Sequence, residues 1–218
     1  MHIMHITRTL TPILAASLLV CAGLARLQAA PATDIPAKAT LLGLLGNAQY
    51  SHAGGPFQPV ARGARFEAGD VIQTAAGAAM DLDFGSELGT VRLTQLTTLV
   101  IEKWQGTGPG YELNLFLRDG EMLGRVVHPM VPARFQVKVN TGIGAIVEGQ
   151  FRLDAKGYLV LLNGKAAYVH APATGEPAAH TLTAPPAQYF APASGVRPAS
   201  ADLVKEISNQ WRSKLPKK

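Results

Sequence analysis

From residue 46 to about residue 195 the chain is cut into short apolar or alternating runs, with glycine at most of the breaks. No window there keeps apolar residues at helical spacing for as long as about ten residues. Period two is clear in several runs. Phe135, Val137 and Val139 alternate with Arg134, Gln136 and Lys138, and Met80, Leu82 and Phe84 alternate with Asp81 and Asp83. Leu113, Leu115 and Leu117 make a third such set, and Phe151 and Leu153 flank Arg152. Successive side chains of a strand point to opposite faces, so each run predicts a strand with one buried face.

A strand of this kind cannot bury its apolar face alone. Many of them, joined by Gly, Asn and Asp turns, predict an all-β domain: a β-sandwich, a barrel or a flattened β-helix-like arrangement. Val91-Arg92-Leu93 follows a turn at residues 85–89, and residues 99–101 read as a more buried strand. Asp119-Gly120 ends one run, and Asn163-Gly164 suits a tight hairpin between residues 158–162 and 165–169. Residues 180–184 and 188–190 are further strand candidates around Pro185-Pro186. Residues 41–45 fit a strand or one helical turn.

The end of the chain changes period. Ser200 is placed to cap a helix from Ala201, with Asp202 in its first turn. Leu203, Ile207 and Trp211 form one stripe, the lysines 214, 217 and 218 follow, and Pro216 stops the run. A short C-terminal α-helix packed on the sheet by that stripe is expected.

The start of the chain reads as an export signal. His2, His5 and Arg8 precede an apolar run over residues 13–24, and small residues lead to Ala29-Ala30-Pro31. Gly23 and Arg26 break the run below the length of a membrane span. Cleavage after Ala29 is expected, with Ala25 as the rival site; either would remove Cys21, whose bulky neighbour Val20 also argues against lipid attachment. The expected organisation is a signal peptide at 1–29, an entry arm at 30–45, a β domain at 46–195, and a linker with a basic helix at 196–218. The periplasm or the exterior is the expected location.

Charge narrows the partners. The chain carries 20 Lys+Arg against 15 Asp+Glu, yet residues 30–204 hold 13 basic and 14 acidic side chains, so the body is near neutral. The excess sits at the two ends, which speaks against a nucleic-acid-binding body. The basic C-terminus is expected to give at most weak, salt-sensitive attraction to an anionic surface.

The ordered segments resemble the FecR domain family. Phe66 to Thr74, with its Gly69-Asp70 turn, and residues 77–84 are similar to the family's opening strands. Val91-Arg92-Leu93, Thr97-Thr98-Leu99 and residues 117–121 continue in family order, as do Phe135 to Thr141, residues 144–153 and residues 161–166. Gly149-Gln150-Phe151 departs from the family's Gly-Thr before an aromatic, and Asn140-Thr141-Gly142 from a more usual Thr-Pro. The resemblance implies the periplasmic module of the family without its cytoplasmic anti-sigma segment.

Chemistry-bearing patterns are sparse. His52, His128, His170 and His180 lack metal-ligand spacing, and no HExxH is present. Ser51-His52 and Ser86-Glu87 lack a nucleophile elbow, and Asp81 and Asp83 on one strand face read as solvated carboxylates. No catalytic residue, cofactor or metal is expected. Trp104 and Tyr111 flank residues 105–110, an expected exposed loop, and are the candidate contacts for a partner or a glycan, while the competing reading has Trp104 closing the edge of the core. The reading is a non-enzymatic exported binding or scaffold module that contacts another envelope protein. A carbohydrate- or cell-wall-binding domain is the alternative.

Overall fold

The computed structural model describes residues 35–86, 88–107, 110–127, 132–213 and 215. They belong to one compact unit, Thr33–Lys218, and the leader expected at 1–29 lies outside the described residues. Among the described residues no helix is long and apolar enough to cross a membrane.

The first strands are β1 (Ile35–Pro36), β2 (Ala39–Leu45), β3 (Ala48–Ser51), β4 (Gln58–Pro59), β5 (Arg65–Phe66) and β6 (Val71–Thr74). Next come β7 (Ala79–Asp83), β8 (Thr90–Leu93), β9 (Thr98–Thr107), β10 (Gly110–Asp119), β11 (Glu121–Val126) and β12 (Ala133–Val139). The chain ends with β13 (Gly142–Asp154), β14 (Leu159–His170), β15 (Ala178–Ala184), β16 (Gln188–Ala191), β17 (Gly195–Pro198) and the helix α1 (Ala201–Arg212).

The fold is all-β with one C-terminal helix, and its strands form one sheet curled into a half-barrel. One half of the sheet runs β4–β3–β6–β9–β10–β12, with β10 and β12 parallel. The other half runs β5–β2–β7–β8–β11. Strand β13 joins them: residues 142–146 pair with β12 and residues 149–154 with β11. Strand β14 follows β13 along its length and then carries β15 at one end and β16 at the other, with β17 beyond β16. The inward faces meet in a single core that includes Met80, Leu82, Leu115, Phe135, Val137, Phe151 and Tyr168. The alternation of residues 134–139 is realised: Phe135, Val137 and Val139 are buried, while Arg134 and Lys138 are exposed.

The bend between the halves corrects one expectation. Asn163-Gly164 makes no hairpin; it lies inside β14, with Gly164 opposite Gly149 of β13. Both glycines have positive φ, +91° and +114°. A Cβ on Gly149 would stand 1.9 Å from the Asn163 carbonyl oxygen, and one on Gly164 2.1 Å from that of Glu148. Only glycine allows the two backbones to cross so closely at positive φ. The same dipeptide that turns a hairpin here bends a long ribbon.

Two boundaries also shift. Residues 39–45 of the expected entry arm form β2, which puts Ala39, Leu41 and Leu44 into the core. Residues 196–198 of the expected linker belong to β17.

Helix α1 lies on the outer surface of the sheet. Ser200 caps it by accepting from the Leu203 N–H, Asp202 sits in the first turn, and Ile207 is fully buried. Ile207 packs with Leu123 and Val160, flanked by Leu162, Tyr189, Leu203 and Trp211. The expected stripe is the docked face. The three terminal lysines and Pro216 lie outside the described residues.

Candidate binding cleft

The chain passes between the two halves of the sheet at Gly46, at residues 75–78, at residues 94–97 and at Gly120. These passages lie side by side. Ala75 donates its N–H to the Asn47 carbonyl at 3.0 Å, and Leu96 donates to the Ala75 carbonyl at 3.3 Å. Two buried threonines fasten the row from beneath. The Thr97 N–H donates to Thr74 Oγ1 at 3.0 Å, and Thr74 Oγ1 donates to the Thr94 carbonyl at 2.5 Å. Thr97 Oγ1 donates to the Glu121 carbonyl at 3.1 Å and accepts from the Glu121 N–H at 3.2 Å. Hydroxyls can satisfy backbone groups that a chain reversal takes out of the strand ladder.

A cleft of about 740 Å³ opens beside this row. Leu44, Val60 and Leu96 give it apolar wall, and Asn47, Gln49, Gln73, Thr74 and Thr98 give it amide and hydroxyl groups. Gln49 Nε2 donates to Gln73 Oε1 at 2.9 Å, which sets the two amides across β3 and β6. Asp119 is the only charged group in the lining among the described residues.

Leu96 stands out in this lining. Its φ is +54°, a left-handed conformation that favours glycine or asparagine, and its side chain is 63% exposed. Neither local backbone preference nor core burial accounts for a leucine there.

The residues singled out from sequence are brought together elsewhere. Gln105 to Thr107 continue β9 and Gly110 begins β10, so the strand runs on past Trp104 where an exposed loop was expected over residues 105–110. Trp104 is 5% exposed, with its ring edge-on to Phe84 at 5.9 Å and tilted against Tyr111 at 5.9 Å. Both line a smaller cavity of about 250 Å³ with Lys38, Asp83 and Ser86. Most of the indole is core. Half-buried Tyr111 is the more accessible ring.

The histidines are separated. His52 Nδ1 lies 2.6 Å from Asp70 Oδ1 and its Nε2 lies 3.6 Å from Glu67. Asp70 is buried and also accepts the Glu67 N–H at 2.9 Å, so the Gly69-Asp70 turn is tied to the loop after β3. His170 Nδ1 meets the Thr141 carbonyl at 3.0 Å, and His180 packs against the Phe190 ring. His128 lies outside the described residues. Among the described residues no group of three or more His, Cys, Asp or Glu could hold a metal ion.

Sequence reasoning misses the cleft. Its amides and threonines come from Asn47 before β3 and from β3, β6 and β9, and no local pattern shows that these meet. Asp81 also departs from expectation: it is no solvated carboxylate but the ionic partner of Arg92, which is buried. No family model matches the chain, and neither a curated protein nor a solved structure does.

Proposed function

We propose that this chain is an exported binding module of the cell envelope that receives a segment of another envelope protein in the cleft at the passages between its two half-sheets. Leu96 carries the reading. An exposed leucine held at positive φ is strained, and strain retained at a cleft rim is what a ligand contact can repay. The lining supports a polypeptide partner: carboxamides pair with peptide groups, hydroxyls add adaptable donors, and the aliphatic wall takes apolar side chains. Among the described residues the lining holds one carboxylate and no second titratable group to exchange a proton with it, which favours binding over acid–base chemistry. The succession of strands and turns that resembles a FecR domain fits a module of this kind, and the leader expected at 1–29 would export it.

The glycan reading rests on Tyr111 and Trp104 beside the smaller cavity. A sugar would need an open ring face, and the burial of Trp104 leaves Tyr111 as the main candidate. Immobilised protein offered solubilised envelope proteins and, separately, purified cell-wall glycan distinguishes the two. Saturable protein capture that Gln73→Arg abolishes is expected. Retention by glycan alone would overturn the reading.

A further inference from the structure

Five strands are paired residue-for-residue on one side only among the described residues: β1, β4, β5, β15 and β17. Four of them carry the devices that stop a sheet edge from recruiting another strand. Strands β1, β4 and β5 are 2 residues long, with Pro36, Pro59 and Arg65 respectively. Strand β17 has 4 residues and contains Arg197 and Pro198. Strand β15 is different. Its 7 residues, Ala178-Ala179-His180-Thr181-Leu182-Thr183-Ala184, include no proline, lysine, arginine or carboxylate, and its register with β14 is unbroken.

The free side of β15 can be read from one bond. Thr183 gives its N–H to Gln188 Oε1 at 2.7 Å, so its backbone faces away from β14. Antiparallel strands alternate, and Thr181 and Ala179 therefore turn their N–H and carbonyl groups the same way. The side chains of Ala179, Thr181 and Thr183 are exposed and small. On the same outer surface, Ile143 pairs with Val169, and both are exposed, at 43% each.

We propose that a second copy of this chain pairs with β15 about a two-fold axis, joining two half-barrels into one continuous sheet. The argument for a second copy is self-complementarity. An antiparallel two-fold lays β15 on itself, and its uncharged row of alanine and threonine brings no like charges face to face. Ala179 and Thr181 supply donors and acceptors that the second copy's Ala179 and Thr181 match. This surface is distinct from the cleft and does not depend on the function proposed for it.

Sedimentation velocity of the protein as purified from the envelope, over a wide concentration range, tests the proposal alongside Thr181→Lys and Thr181→Val. A reversible monomer–dimer equilibrium is expected. Thr181→Lys sets two like charges diagonally across the two-fold on one face and should weaken it by about fivefold, while Thr181→Val should leave it intact. Amide exchange on the unaltered chain should slow at Ala179 and Thr181 as concentration rises, a readout that holds even if a variant folds poorly. A monomer at every concentration, a dimer indifferent to Thr181→Lys, or exchange at those amides independent of concentration would overturn the proposal. So would a chain that is monomeric alone and gains protection at β15 only from a different protein.

Discussion

Arg92 grips Asp81 with two parallel bonds, Nε to Oδ1 at 2.7 Å and Nη2 to Oδ2 at 2.8 Å, across the facing strands β8 and β7. The same guanidinium donates to the Gln210 carbonyl and to Ser213 Oγ at the end of α1, and it lies 5.7 Å from the Trp211 ring centre. One strand residue thus serves as ion-pair partner and as the cation at a helix C-terminus, where the dipole favours it. Arg152 makes a second tie, to Glu121 and to Glu206 of the helix.

Removing that clamp should be costly. Arg92→Met leaves Asp81 without its partner and α1 without its C-terminal donor, a loss of about 3 kcal/mol. Urea unfolding checks the magnitude. Unchanged stability would mean that α1 is held by its apolar stripe alone.

The glycine pair at the bend gives a steric prediction. Gly164→Ala and Gly149→Ala each press a Cβ onto a carbonyl of the neighbouring strand and should cost more than about 3 kcal/mol. Gly54 is a control, since its φ is +77° but nothing lies within 4 Å of a Cβ there. Gly54→Ala should cost only about 1 kcal/mol. Equal losses in all three variants would show that conformation, and not the close crossing, sets the need for glycine.

Glu121 makes stability depend on pH. Burial pushes its carboxyl above the usual range, and Arg152 at 3.4 Å opposes the shift without cancelling it. The folded chain therefore holds a proton that the unfolded chain has already released. Stability falls as pH rises from the ordinary glutamate value through the raised one, and the deficit persists above it. Glu121→Gln should gain stability relative to the natural chain on going from pH 4 to pH 7. Paired urea midpoints at the two pH values check the sign, and a relative loss at pH 7 would contradict it.

Where one strand face meets water, the sequence is a good guide. Residues 80–84, 113–117 and 134–139 each show their buried side, because a period of two needs only neighbours in the chain. The helix is legible for the same reason: the Ser200 cap and the Leu203, Ile207 and Trp211 stripe are local. What escapes depends on distant partners. Arg92 reads as an outward strand residue until α1 returns to cover it, and Asn163-Gly164 reads as a hairpin until Gly149 is found opposite. Leu96 gives no sequence signal, since leucine rarely adopts the conformation it holds. Trp104 reads from sequence either as the edge of the core or as a partner contact, and Phe84 and Tyr111 enclose it.

The export reading has its own check. The intact mass of the envelope-associated chain should match removal of the first 29 residues. A full-length mass would favour an uncleaved anchor.

Leu96→Gly tests the central claim most directly, because it separates what the fold wants from what the cleft wants. Glycine relieves the left-handed strain and removes an exposed side chain, so stability should hold or rise by about 1 kcal/mol or less. The measurement is the affinity of this variant and the natural chain for the envelope protein captured at the cleft, with urea midpoints taken in parallel. The account predicts weaker binding at equal or greater stability. Undiminished binding by the more stable variant would contradict it.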